Sequence, residues 1–217
     1  LVLESNDFGL LVAYMYFASE CIQMFKDTIG CLEQVLQKCL AFIMSESPKF
    51  QAYGVHFFDK VVSKCDRVIA DGKRGDVLIS KLYKRIPALV KVLSNNSTVV
   101  FMRSIASLVS QMPNYPMFTD LICQMITQLY SSIPTIDETT DDIGLRKAST
   151  SLEGIGGIIK GLGNQSFSFI WQIVQDLIEL QTYLYSIATT SQNSIRYLAV
   201  LTDLLGVFEQ IARISPK

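Results

Sequence analysis

The sequence predicts an all-α protein, arranged as a right-handed α-solenoid of about four and a half helical hairpins with no β-sheet. The clearest hairpin runs from Asp141 to Tyr185. Its first helix has an apolar stripe with spacings of three and four, at residues 145, 148, 152, 155, 159 and 162. A glycine-containing turn leads into a second apolar stripe. No stretch shows the strict alternation that is typical of a half-buried strand.

The predicted hairpins recur at irregular intervals that cluster around the length of one helical-hairpin repeat, which is roughly 40–47 residues. The helices that open hairpins begin near residues 7, 48, 97, 142 and 194, at intervals of 41, 49, 45 and 52. Stacked hairpins explain such a period, whereas a closed bundle does not. We therefore predict one solenoid segment over residues 1–217, with hairpins at about 7–46, 48–94, 97–132 and 142–189 and a final helix at 194–214. Because the chain begins at Leu1 without a methionine, we expect a piece of a longer protein.

The N-terminal half contains signals for four helices. The first is apolar nearly all round from Phe8 to Phe17, so we expect it to be covered on every side. After the second helix, Ser47 and Pro48 supply an N-cap and a first helical residue for the third. Pro87 lies inside the fourth, where it removes a backbone donor, so we predict a kink or break near Arg85.

The C-terminal half is divided by turn residues. Residues 95–97, Asn-Asn-Ser, are predicted to cap the fifth helix, and Pro116 to open the sixth. A non-periodic segment follows at 132–140. Residues 161–164 supply a glycine for the left-handed C-terminal position and Asn164 as a new N-cap, while 191–194 are predicted to cap the last helix.

Composition narrows the class of protein. Hydrophobic residues make up 49% and charged residues 18% of the chain, which is enough to build a large core. A net charge of −1 argues against a nucleic-acid-binding domain, and no apolar run reaches the length of a membrane span. The five cysteines have no metal-ligand spacing and are predicted to be reduced packing thiols, which favours a cytoplasmic or nuclear location; they are Cys21, Cys31, Cys39, Cys65 and Cys123.

The segment 143–181 resembles a HEAT repeat. It has the basic pair Arg146 and Lys147 early in its first helix, small residues in the middle and a glycine-containing turn. Residues 193–199 repeat the opening, with Arg196 in the corresponding place. In HEAT proteins this basic residue usually joins an aspartate in a neighbouring turn, forming a ladder between repeats. Residues 117–135 look like the second helix and exit turn of repeats in the importin-β (karyopherin) nuclear transport receptors.

The resemblance implies a non-enzymatic scaffold for protein–protein interaction. The specific form that it implies is a segment of a nuclear transport receptor that binds cargo or a small GTPase. The alternative is a structural subunit that uses its apolar surface for permanent assembly in a large complex. Neither form requires a cofactor or a metal, and none is expected.

Charged residues supply most of the candidate binding sites. Nine basic residues lie among four aspartates between residues 59 and 91, and four of the nine are predicted to contact an acidic partner: Lys81, Lys84, Arg85 and Lys91. The alternative is that they are solvated faces of helices. An acidic loop is predicted to contact a basic cargo or a small GTPase, or else to cap the following helix; it contains Asp137, Glu138, Asp141 and Asp142.

Trp171, the only tryptophan, is predicted to be either an interface anchor or a side chain packed between repeats. Signals for catalysis are weak. The single histidine, His56, has no second histidine or cysteine at ligand spacing. The glycines at 154–157 lie inside a helix, without the strand and the Gly-Lys-Ser/Thr of a phosphate loop, so we interpret them as packing residues.

Overall fold

The computed structural model describes residues 8–25, 29–71, 73–112, 116–137, 139–190 and 194–215. These residues form helices and connecting turns without a strand, which confirms the all-α prediction. A 3₁₀ turn at Gly163–Ser166 separates the ninth and tenth of the α-helices, which are α1 (Phe8–Glu20), α2 (Ile22–Phe25), α3 (Ile29–Ile43), α4 (Pro48–Ala70), α5 (Lys73–Tyr83), α6 (Ile86–Val92), α7 (Asn95–Ser110), α8 (Phe118–Tyr130), α9 (Asp142–Leu162), α10 (Phe167–Thr190) and α11 (Ser194–Ile214).

Proline and glycine place two of the interruptions where the sequence predicts them. The helix containing Pro87 is broken at Lys84 and Arg85, which separate α5 from α6. Gly163 ends α9 with a φ of 55°, a conformation that glycine adopts without the clash a Cβ would cause. The expected N-cap at Asn164 is wrong, because that residue lies within the 3₁₀ turn and α10 begins three residues later.

Other boundaries differ from the sequence prediction. Ser94, rather than residues 95–97, caps α7, because its hydroxyl accepts a hydrogen bond from the backbone N–H of Ser97 at 3.4 Å. The first predicted helix is interrupted at Cys21, and α4 has a non-helical residue at Cys65. The expectation that the first helix is covered on every side is also wrong, since Phe17 is exposed. The proposed caps at 191–193 lie outside the described residues.

The long helices pack in chain order. Helix α4 packs on α7, α7 packs on α9 and α9 packs on α11, while α3 lies along α4 and α10 lies along α11. Smaller contacts join α6 to α8 and α8 to α10. One continuous set of buried side chains runs through these contacts, including Phe58, Phe101, Leu152 and Leu204. Burying each such side chain contributes about 1.5–3 kcal/mol, so this apolar core dominates the stability of the fold.

Glycines allow two of these helix pairs to approach closely. A Cβ on Gly161 of α9 would lie 2.8 Å from the Cβ of Ala106 and 2.9 Å from the carbonyl oxygen of Arg103, both in α7. A Cβ on Gly54 of α4 would lie 2.6 Å from the backbone nitrogen of Ile43 at the end of α3. Gly157 also faces α7, next to Arg103. The interpretation as packing residues is confirmed for Gly157, and for Gly154, where a Cβ would lie 2.9 Å from the side chain of Leu129, but not for Gly156, whose nearest neighbour lies at 3.8 Å.

We predict that Gly161→Ala destabilises the protein. The new methyl group would meet backbone and Cβ atoms that cannot rotate away, and overpacking of this kind costs about 1–3 kcal/mol. Near the end of α9, this cost exceeds the gain in helix propensity, which is about 1 kcal/mol. Urea unfolding followed by circular dichroism should show a lower midpoint.

Gly206→Ala in α11 is the matched control for this experiment. No atom lies within 4 Å of a Cβ built at Gly206, so only the propensity gain remains and the midpoint should rise. Equal midpoints for the two variants would show that α7 and α9 are not in close contact.

Candidate partner-binding surfaces

The predicted basic residues lie in three different places. Lys81 lines a small apolar groove between α3 and α5, together with Leu36 and Val77. Lys84 and Arg85 are exposed at the break between α5 and α6. Lys91 lies at the end of α6 and lines a separate cleft. The structure therefore does not bring the four predicted cations into one site, because the break redirects the chain between them.

The cleft beside Lys91 is a wide depression with a partly polar lining. It has a volume of about 880 Å³ and is formed by the end of α6, the start of α7, the end of α8 and the first half of α9. Arg146 and Lys147 of α9 line it together with Lys91. Hereafter we call it the α6–α9 cleft. Since the sequence separates Lys91 from Arg146 by more than fifty residues, only the fold brings the three cations together.

Arg146 and Lys147 are binding candidates that the sequence analysis did not select. In the sequence they belong to the repeat signature and lie outside the basic segment that ends at Lys91. One sequence signal could have identified them as exposed. They lie in the first two turns of a helix, on the side away from the buried residues Leu145 and Ala148. Periodicity alone could have shown that they are exposed, although it could not show that they lie opposite Lys91.

Several other cations are held in ion pairs between helices. Lys60 and Lys64 of α4 pair with Glu20 of α1, and their hydrogen bonds lower the pKa of that carboxyl group. The guanidinium of Arg103 in α7 lies 3.0 Å from the Oδ1 of Asp59 in α4. By contrast, no ion pair involves Lys91, Arg146 or Lys147 among the described residues. Their charges are therefore not compensated by a carboxylate of the described chain.

The acidic loop makes contacts within the protein. Asp141 is the N-cap of α9, where its Oδ1 accepts a hydrogen bond from the N–H of Gly144 at 2.8 Å. Asp137 accepts hydrogen bonds from the hydroxyl and the N–H of Thr139, and these bonds lower its pKa. Asp142 pairs with Arg196, while Glu138 lies outside the described residues. These contacts favour the capping alternative over partner binding for this loop.

Arg196 and Tyr197 hold the same loop against α11. Arg196 Nε donates to Asp142 Oδ1 at 2.8 Å, and its Nη2 donates to the carbonyl oxygen of Thr140 at 3.0 Å. The hydroxyl of Tyr197, a buried side chain, donates to the carbonyl oxygen of Asp137 at 3.1 Å. The start of α11 is thus fixed by one polar contact to the first residue of α9 and by two to the loop before it.

Two apolar surfaces are exposed near the C-terminal end. Trp171 in α10 is 65% exposed. This exposure excludes the alternative in which its side chain is packed between repeats. On α11, Ile195 is 81% exposed, and Leu198 and Leu205 are also exposed on the same side. The spacing of these three residues places them on one face of the helix, which we call the α11 apolar face. The sequence shows an apolar series along this helix, but it does not show which side of α11 meets α9.

The described residues contain little reactive chemistry. They include no group of three or more His, Cys, Asp or Glu side chains that could hold a metal ion. His56 lies beside the ring of Tyr16, and burial raises the pKa of the Cys39 thiol. No helix in these ranges is both long enough and apolar enough to span a bilayer.

Comparison with known proteins finds no matching family model, no matching curated protein and no matching solved structure.

Glu153 of α9 is the one carboxyl group whose pKa is raised in the contact between α9 and α11. Partial burial is the larger cause, and the neighbouring charge of Asp203 in α11 adds to it. Asp203 itself accepts a hydrogen bond from the hydroxyl of Ser149. A raised pKa means that the folded state favours protonated Glu153, so its charge at neutral pH opposes folding.

We predict that Glu153→Gln stabilises the protein at pH 7. Because the side chain is largely in solvent, screening keeps the gain below about 1 kcal/mol. The gain should shrink as the pH falls through the pKa of Glu153 and should be absent well below the usual glutamate range, where the wild-type carboxyl is also protonated. Thermal unfolding between pH 3 and pH 8 measures it. Glu46→Gln, in the exposed turn before α4, makes the same change in net charge and should show no comparable pattern.

Proposed function

We propose that this chain is a non-enzymatic protein-binding scaffold of the HEAT-repeat type, with its helices arranged as a right-handed solenoid. The observation that carries the proposal is the serial packing of α4, α7, α9 and α11, each against the next. In a repeat protein each unit contacts mainly its neighbours, so serial packing supports this organisation. Such a fold presents an extended surface, and its function is to position partners rather than to transform them.

Polar contacts between successive long helices also support the proposal. Asp59 of α4 accepts hydrogen bonds from Arg103 at 3.0 Å and from the hydroxyl of Ser104 at 2.7 Å, both in α7. Asp142 and Arg196 make the equivalent type of contact between α9 and α11. The resemblance to HEAT repeats leads us to expect such an Asp–Arg contact at Arg146 and Arg196; Arg196 makes it, whereas Arg146 makes no ion pair among the described residues. Each partly exposed pair adds only about 0–1 kcal/mol to the stability. We therefore expect these pairs mainly to fix how one helix is aligned along the next.

A segment of a nuclear transport receptor is the specific form of scaffold that we propose. It is supported by the resemblance of residues 117–135, which contain α8 and the turn after it, to the second helix and exit turn of importin-β repeats. In that role the chain would bind a cargo protein or a small GTPase in the cytoplasm and the nucleus. The exposed cations at Lys84, Arg85 and Lys91 would attract acidic surfaces of such partners.

The second candidate function is that of a permanent structural subunit. It is favoured by the α11 apolar face, because exposed apolar patches mark surfaces that associate with other proteins. Obligate interfaces resemble a domain core and depend on apolar burial more than on charge. The two candidates therefore predict different responses to salt.

The proposed arrangement can be tested by small-angle X-ray scattering. A compact chain of 217 residues has a radius of gyration of about 17 Å. We expect a larger value and a distance distribution with a long tail, because stacked hairpins are elongated. A symmetric distribution with a radius of gyration near the compact value would contradict the solenoid.

The two functions can be separated by recovering partners from a cell extract on the immobilised chain. For a transport scaffold, we expect partners that are held at about 0.15 M salt and released near 1 M, with binding weakened by Lys84→Glu together with Arg85→Glu. For a permanent subunit, we expect partners that resist salt but are lost when Leu198 and Leu205 are both changed to Glu. Quantitative mass spectrometry of the bound fractions makes the comparison. A chain that recovers no partner above a blank resin would contradict both candidates.

A further inference from the structure

The α6–α9 cleft gathers three positive charges that the described chain does not balance. Lys91, Arg146 and Lys147 line it, and no ion pair involves them among the described residues. The other cations that lie between helices, such as Arg103 and Arg196, are paired with aspartates. Bringing like charges to one depression opposes folding, so this arrangement favours the entry of an anion.

The carboxylate that lines the cleft does not cancel these charges. Asp142 lies at its edge, where it pairs with Arg196 at 2.8 Å. Arg196 in turn donates to the carbonyl oxygen of Thr140, so the pair is held by a second contact. Since the charge of Asp142 is already compensated by Arg196, the cleft keeps an excess of positive charge.

The rest of the lining fits a peptide. The side-chain amides of Asn95 and Gln128 can donate and accept as a peptide backbone requires, while the hydroxyl of Ser132, which donates to the carbonyl oxygen of Gln128, can accept. Val90 and Ile143 add apolar surface for aliphatic side chains. The volume of about 880 Å³ lies within the usual range of ligand sites, which is roughly 300–1,000 Å³.

The lining does not fit a nucleic acid equally well. Proteins that bind single strands stack bases on aromatic side chains, and no aromatic residue lines this cleft among the described residues. The net charge of −1 also lacks the broad basic excess of a nucleic-acid-binding domain. A peptide whose acidic side chains alternate with small apolar ones satisfies the cations and the apolar surface together.

We propose that the α6–α9 cleft binds an acidic, extended peptide segment of a partner protein, with Lys91, Arg146 and Lys147 as the charge contacts. The proposal rests on the proposed function of the chain as a protein-binding scaffold and names the class of partner. Two of its three cations lie outside the group that the sequence analysis selected. Binding is electrostatic in origin, so it weakens as ionic strength rises.

The experiment measures fluorescence anisotropy of a fluorescein-labelled peptide made of repeated Glu-Leu-Glu-Ala. The whole chain is titrated into this probe, into the matching Gln-Leu-Gln-Ala peptide and into a labelled oligouridylate. We expect the acidic peptide to bind best and to lose affinity with salt. Changing Lys91, Arg146 and Lys147 together to Glu should weaken binding by about tenfold or more, and changing them to Gln by a smaller factor.

The matched control reverses three cations elsewhere, at Lys49, Arg67 and Arg213. Because this variant has the same net charge as the cleft variant, equal losses of affinity would show a general field effect and overturn the proposal. Equal binding of the neutral peptide, or tighter binding of oligouridylate, would also overturn it. Circular dichroism checks the fold of each variant. If the Glu variant does not fold, the affinity of the Gln variant for the acidic peptide is compared with that of the wild type, and an unchanged affinity overturns the proposal.

The same variants also separate this proposal from the proposed function. If the wild-type chain recovers partners from extract but does not bind the acidic peptide, the cleft proposal fails and the scaffold proposal stands. If it neither recovers partners nor binds the peptide, both fail. If the cleft variant loses partner binding and peptide binding while the control variant keeps them, both proposals are supported.

Discussion

The close approach of α7 and α9 is the constraint on which the rest of the structure depends. Gly157 and Gly161 bring the backbone of α9 against Arg103 and Ala106, leaving no room for a side chain at Gly161. Close contact of this kind maximises dispersion between the two helices, and a small change of distance forfeits much of it. Because α4 also packs on α7, and α11 packs on α9, the position of this one pair sets the positions of both neighbours.

Local signals explain how much of the fold the sequence could predict. The helical period, Pro87 and Gly163 act on the chain within a few residues, so the helices, the break before α6 and the end of α9 could be placed in advance. The kink at Cys65, the break at Cys21 and the exposed side of α11 lack such signals. They depend on which helix lies alongside, and an apolar stripe does not identify its neighbour.

The candidate site was less predictable, because a sequence shows how many charges are present but not which are paired. Asp142 looked available for a partner, yet Arg196, fifty-four residues later, reaches it. Lys81 and Lys91 looked like one basic surface, yet the break between α5 and α6 leaves them in different depressions. The cleft depends on Arg146, which the repeat pattern had already explained. Pairing over such separations is decided by helix packing alone.

The two proposed binding surfaces respond to different physical variables, and this bears on whether one chain could serve both proposed functions. Attraction at the α6–α9 cleft is screened by salt, whereas burial of the α11 apolar face is not. The cleft is lined by residues from α6 to α9, whereas the apolar face lies on α11, none of whose residues lines the cleft. Reversible capture of an acidic segment and stable apolar association are therefore compatible in the same chain. A scaffold of the proposed kind would stay assembled through the α11 apolar face while its acidic partners exchange at the cleft.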